Sequence, residues 1–267
     1  MAKIFFMRYL SILITLFYLI GLQVAFAGSE GNDPDSTKTR DSLVIKYRLA
    51  SDLNITAGNL NSINSINNGQ IDLEQRVVGI RAMAGYRYGI LEGDKNAEEF
   101  TSALAFNLFP KNRVYGFVNG GVESSFLRAF DFRGFTGAGA SFRVLRSENQ
   151  KFEPFVNLLY EYTDFNSPIL VQGDSTEIVQ MVRAVLGWTG THKLFKQKLI
   201  ITHNSRFQQS LQDPDNFRFE GGVHFLMPVF KILSFRTGMN YTYENVVITG
   251  RQKTDFIWTF GVLLTNI

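Results

Sequence analysis

The feature that most restricts this chain is a period of two in its apolar residues, kept up from Leu43 almost to the C-terminus. Leu43, Ile45, Tyr47, Leu49, Leu53 and Ile55 alternate with Lys46, Arg48, Ala50, Asp52, Asn54 and Thr56. Successive side chains on a strand point to opposite faces, so this spacing gives one apolar and one polar face; a helix would scatter the same residues around its circumference. The pattern returns in Val156, Leu158, Tyr160 and Tyr162, and again in Val182, Ala184, Leu186 and Trp188. It also runs through Phe217, Phe219, Val223, Phe225 and Met227, through Leu233, Phe235, Met239, Tyr241 and Tyr243, and through Phe256, Trp258, Phe260, Val262 and Leu264.

Turn chemistry separates these runs. Short connections are expected at Pro110-Lys111-Asn112, from Arg146 to Lys151, from Gly190 to Lys193 and from Phe230 to Ile232. Longer polar ones are expected near Gly58–Ser65, Glu92–Glu98, Asp164–Ser175, Leu211–Asn216 and Val247–Lys253. Eleven strands are clear, and a break near Gln75-Arg76 makes twelve; the even number suits an antiparallel up-and-down transmembrane β-barrel with short turns on one side and longer loops on the other.

Alternation alone leaves open which face is outside, because a soluble barrel carrying an apolar ligand in the periplasm would show the same period. Two features favour lipid. The polar face carries both signs of charge: Arg81, Arg87, Arg183, Arg218 and Arg236, with Glu123, Glu161, Glu220 and Glu244. Aromatics such as Tyr47, Tyr86, Trp188, Tyr241 and Trp258 lie on the apolar face towards strand ends, where interfacial girdles form. The expected place is therefore the outer membrane, with lipid as partner and the polar charges in the lumen.

The N-terminus fits that route. Lys3 and Arg8 precede an apolar run from Tyr9 to about Phe26, and Ala25-Phe26-Ala27 supplies a small-x-small cleavage pattern. A single-span anchor is the alternative for so long a run. Residues 1–27 are read as a cleaved signal peptide, 28–41 as a flexible polar lead-in and 42–267 as the barrel. The leader takes two of the 27 basic residues and none of the 24 acidic ones, so the remainder has net charge +1, dispersed along the chain. That pattern does not point to nucleic acid. With no cysteine, thiolate metal sites and a thiol nucleophile are excluded.

Several short runs carry a family resemblance. They are Gly58-Asn59, the stretch Asn107-Leu108-Phe109-Pro110-Lys111-Asn112-Arg113-Val114-Tyr115, Asp131-Phe132-Arg133 leading to Gly137-Ala138-Gly139, and Lys253-Thr254-Asp255. In this order the chain resembles a domain-of-unknown-function group, family 481, that includes the salt-induced outer-membrane protein. The resemblance is best between Leu43 and Phe165. It implies an outer-membrane barrel with no established enzymatic activity, linked to osmotic or salt stress and inserted by the barrel assembly machinery. Barrels of this kind end on an aromatic residue that the machinery reads; this chain departs from that with Leu264-Thr265-Asn266-Ile267.

Few residues suggest chemistry. His203 and Ser205 share the lipid-facing side of one strand, and such a pair resembles the arrangement in an outer-membrane phospholipase. Base-assisted attack by Ser205 would need a third group to orient the imidazole, and none can be assigned. His192 is expected in a turn, and His224 as a hydrogen-bonding group in the lumen. The glycine-rich Gly134–Ala140 segment lies within a strand pattern, without the following helix that a phosphate cradle needs. No metal, cofactor or small-molecule ligand is indicated, and the expectation is a non-enzymatic narrow channel or envelope-supporting wall. N-terminal sequencing of protein purified from the envelope is expected to return Gly28 first; a sequence starting at Met1 or Ala2 overturns the leader assignment.

Overall fold

The computed structural model describes residues 43–56, 61–171 and 174–266; the expected leader and lead-in lie outside them. The first half of the sheet comprises β1 (Val44–Thr56), β2 (Ser62–Glu74), β3 (Val78–Leu91), β4 (Asp94–Leu108), β5 (Val114–Ser125) and β6 (Phe130–Phe142). A two-residue arm, β7 (Leu145–Arg146), pairs with the start of the long β8 (Gln150–Val171). The rest are β9 (Asp174–Leu194), β10 (Leu199–Ser210), β11 (Phe217–Pro228), β12 (Leu233–Glu244) and β13 (Thr254–Thr265). Leaving β7 aside, each strand pairs antiparallel with the next, β6 pairs with β8, and β13 returns to β1. The result is a closed barrel of twelve strands, and the break that separates β2 from β3 falls at residues 75–77.

Closure is dictated by the outer surface. Leu158, Leu186, Phe207, Phe235, Trp258 and Phe260 all stand exposed on the outside. Backbone that lies in lipid must find its hydrogen-bond partners within the protein, and a closed antiparallel sheet does this with no free edge. A polar lumen and an apolar exterior are the reverse of a soluble carrier, so that alternative is set aside.

The β1–β13 seam is short. It holds five residue pairs, from Arg48↔Thr265 to Asp52↔Gly261, whereas β1 and β2 are paired at thirteen positions. Side chains lengthen it. Tyr47 N–H donates to Asn266 Oδ1 (2.8 Å), and the Asn266 amide donates to the Ile45 carbonyl (3.1 Å). Thr265 Oγ1 donates to the Tyr47 carbonyl (3.1 Å), and Asn54 Nδ2 to that of Trp258 (3.1 Å).

Both ends of the barrel sequence lie at one rim, with the connections at 75–77, 109–113, 143–149, 195–198 and 229–232. The opposite, distal rim carries those at 92–93, 126–129, 211–216 and 245–253. Three expected connections differ. Glu92–Glu98 is a two-residue turn at Glu92 and Gly93, both at positive φ (52° and 90°), and the polar residues that follow belong to β4. Gly190–Lys193 is strand, because β9 continues to Leu194 and turns at 195–198; Thr191 and Lys193 are polar because they face the lumen, not because the ladder ends. Most of Asp164–Ser175 is likewise strand, with Ile169–Val171 still paired to Asp174–Thr176 beyond a register shift.

Phe260 and Met83 test which face is which. Both are apolar and partly exposed, Phe260 (54%) on the outside and Met83 (42%) into the lumen. Phe260→Arg is expected to cost about 2–4 kcal/mol in urea unfolding from vesicles, and Met83→Arg distinctly less. The reverse order would exchange inside and outside.

Candidate functional site

The inward side chains near the distal rim form a continuous ionic plate. Six arginines (Arg87, Arg128, Arg133, Arg183, Arg206 and Arg218) meet five glutamates (Glu99, Glu123, Glu161, Glu220 and Glu244). At its centre Arg218 of β11 grips Glu161 of β8 with two hydrogen bonds of 2.6 and 2.9 Å. Arg183, fully buried, approaches the same carboxylate through Nε (3.4 Å) and donates to Asn216 Oδ1 (2.8 Å). Several contacts link strands that are not neighbours in the wall. Arg128, in the β5–β6 turn, donates to Glu244 at the end of β12 (3.1 Å), and Arg133 of β6 reaches the same carboxylate (3.4 Å). Arg206 of β10 lies 2.7 Å from Glu220 and 3.9 Å from Glu123 of β5. All but Arg206–Glu220, which joins directly paired residues of neighbouring strands, cross the lumen.

An apolar layer covers the plate. Phe130 is buried, with the guanidinium carbons of Arg133 and Arg128 at 4.0 and 5.0 Å from its ring centroid. It meets Phe165 edge-on and packs with Ile169, Val179 and Met181 of the extended β8–β9 hairpin. Val246 and Ile248, from the β12–β13 connection, complete the layer. The extra length of β8 and β9 thus covers the distal mouth.

Below the plate the lumen is open. A cavity of about 750 Å³ runs from Glu99, Glu123 and Arg128 down to Pro228, Phe230 and Lys231 at the other rim. On the inner face of the barrel, glycine makes room for larger side chains of the neighbouring strand. A Cβ on Gly187 would come within 2.4 Å of the Phe155 ring, and one on Gly238 within 1.8 Å of His224 Nδ1. His224 in turn lies 3.1 Å from Arg236, which donates to Asp52 of β1 (2.6 Å).

The sequence-designated charges therefore divide into separate groups. Arg87, Arg183, Arg218, Glu220 and Glu244 lie in the plate, Arg236 with Asp52 in the cavity wall, and Arg81 with Asp72 nearer the terminal rim. Arg128, Arg133, Arg206 and Glu99 were not among the designated lumen charges. Alternation could have found Arg133 and Arg206, which sit at inward positions of their strands; Arg128 lies in a turn and has no such signal.

His203 and Ser205 both lie on the outer face but are engaged elsewhere. Ser205 Oγ donates to the Glu220 carbonyl (3.1 Å). The His203 ring stacks on His192, with centroids 5.2 Å apart and Nε2–Nε2 at 3.1 Å. His192 is thus a strand residue beside His203, not a turn residue. Among the described residues no group of three or more histidine, cysteine, aspartate or glutamate side chains is disposed to hold a metal.

Glu161 balances three buried arginines, and truncating one member of such a cluster leaves charge buried without compensation. Glu161→Ala is expected to lower the unfolding free energy by about 3–5 kcal/mol. Glu98→Ala, which removes the exposed Lys95–Glu98 pair (2.7 Å), is expected to change it by about 0–1 kcal/mol. Denaturant midpoints of the refolded proteins compare the two; equal effects would mean that the plate is hydrated.

Among solved structures, the NanC porin aligns with 83% of this chain and 99% of its own, at 8% identity and a TM-score of 0.51. An outer membrane channel of Pseudomonas putida F1 aligns with 88% and 100% respectively, at 9% identity and a TM-score of 0.48. No curated protein matches the sequence. The NanC likeness shows the fold, which with the apolar exterior is that of an outer-membrane β-barrel. The family described as "Protein of unknown function, DUF481" matches residues 53–265, and the chain belongs to it.

Proposed function

We propose that the protein is a non-enzymatic passage through the outer membrane, shut near its outer rim by the ionic plate and opened when that plate takes up water. The observation that carries this reading is the combination of a 750 Å³ cavity, open towards the rim that holds both ends of the barrel, with cross-lumen ion pairs at its far end. The longest connection among the described residues, 245–253, lies at the distal rim, and the longer loops face outwards in barrels of this class, so the plate is read as the outer end. In this reading the leader 1–27 directs export, the assembly machinery inserts the barrel, and the closed passage serves under osmotic or salt stress. A hydrolytic role for His203 and Ser205 is disfavoured, because each is hydrogen-bonded away from the other.

Refolded protein in a planar bilayer is expected to stay closed, with brief openings. Glu244→Gln or Arg128→Gln, each removing an ion pair that crosses the lumen, is expected to lengthen the openings. Heat-modifiable gel mobility checks that both variants are folded. A steadily conducting wild type, or folded variants as closed as the parent, overturns the gated passage; the second result leaves an envelope-supporting wall. Ester hydrolysis is expected at background before and after Ser205→Ala.

A further inference from the structure

The cavity below the plate is not balanced in charge. Its lining includes seven basic side chains, Arg48, Arg87, Arg128, Lys193, Arg206, Lys231 and Arg236, against three acidic ones, Asp52, Glu99 and Glu123. All three acids already have partners: Asp52 is paired with Arg236, Glu99 with Arg87, and Glu123 with Arg128. Arg48, Lys193 and Lys231 make no ion pair among the described residues.

These surplus charges converge. Lys193 of β9 and Lys151 of β8 lie on the opposite side of the closed sheet from β1, which carries Lys46 and Arg48. Lys151 nevertheless lies within electrostatic range of Lys46, Lys193 and Arg48; the acids near this group, Glu153 beside Lys151 and Asp72 beside Arg48, are already held by Arg143 and Arg81. Lys46 is balanced by Glu74 at 3.5 Å, which leaves Arg48, Lys151 and Lys193 facing one another across the mouth. Like charges gathered in a cleft with low-dielectric walls focus their field and concentrate counter-ions there. Arginine adds a planar fork that matches carboxylate and phosphate oxygens. A volume of 750 Å³ lies in the range of sites that hold small organic molecules.

We infer that this vestibule is a binding site for a small multivalent oxyanion, a di- or tricarboxylate or a phosphorylated solute, entering from the rim that carries both ends of the barrel. Arg48 supplies the bidentate contact, and Lys193 and Lys231 supply the surrounding charge. The inference rests on the barrel reading above, though not on the plate opening.

Citrate is the probe, titrated calorimetrically into refolded full-length barrel at low salt, with glucose and spermidine as neutral and cationic controls. Saturable citrate binding is expected, with no heat from either control. Arg48→Gln combined with Lys193→Gln is expected to weaken it by about tenfold or more, on the scale of local ion enrichment in such clefts. Wild-type affinity is also expected to fall as the Debye length shrinks from about 30 Å at 0.01 M salt to about 3 Å at 1 M. That arm needs no variant. Citrate binding no better than glucose, affinity indifferent to salt, or unchanged affinity in the folded double variant overturns the site. Conductance separates the two readings. Absent binding with a Glu244→Gln barrel that conducts removes the anion site alone, and binding in a barrel that never conducts retains the site without the passage.

Discussion

Everything in this structure depends on a backbone that must leave no hydrogen-bonding group free in hydrocarbon. Eleven of the twelve joins in the ring link strands that follow one another in the chain, apart from the short β7 arm. The twelfth joins the first strand to the last, over five residue pairs only. The amide of Asn266 acts there as an extension of the ladder, accepting from Tyr47 N–H and donating to the Ile45 carbonyl. The two-sided amide of Asn266 thus continues the seam where backbone pairing stops.

The fold was largely legible because lipid and lumen impose opposite preferences on alternate residues. Even the β2–β3 break, in a stretch with weak alternation, followed from the need for an even count. Where the reading failed, it did so for one physical reason. Polarity does not mark the end of a strand at Glu92–Glu98, Gly190–Lys193 or Asp164–Ser175. In each case the ladder continues while the strand passes beyond lipid, or while its inward residues meet the lumen. Composition reports the solvent a side chain meets, and hydrogen bonding is satisfied in either solvent. Ile169 and Val179 show the further limit: they are apolar because they cover the mouth of the barrel, which no local period reveals.

The site was legible by face but not by partner. Alternation places Arg218 and Glu220 side by side on the lumen face, where two opposite charges would be free to pair with each other. Instead Arg218 bonds Glu161 and Glu244, while Glu220 takes Arg206. Residues two apart on a strand point the same way but are separated along it, so their long side chains turn to groups on other strands. Which groups those are depends on barrel curvature and stagger, a tertiary property. Arg128 was missed because a turn has no inward and outward period, yet it supplies one of the bonds that cross the lumen.

The chemistry of the closure bears on what the barrel can do. Replacing buried ion pairs with well-packed apolar side chains is often neutral or stabilising, so charge is not needed simply to fill a lumen. An apolar filling has no use for the water that would have to enter on opening. A plate of guanidinium and carboxylate groups can exchange its bonds for hydration, because each charge that leaves its partner is then solvated rather than left bare. Phe130 and the β8–β9 extension then set the balance, because they shield the plate from water on the outer side while the cavity exposes it on the inner. Water, and any anion drawn in by Arg48 and Lys193, reaches the plate from below. On the proposed reading, an anion in the vestibule would compete for Arg128 and Arg206, which pair with Glu99, Glu123 and Glu220 at the lower edge of the plate. If the barrel opens as proposed, those two arginines would couple occupancy to opening.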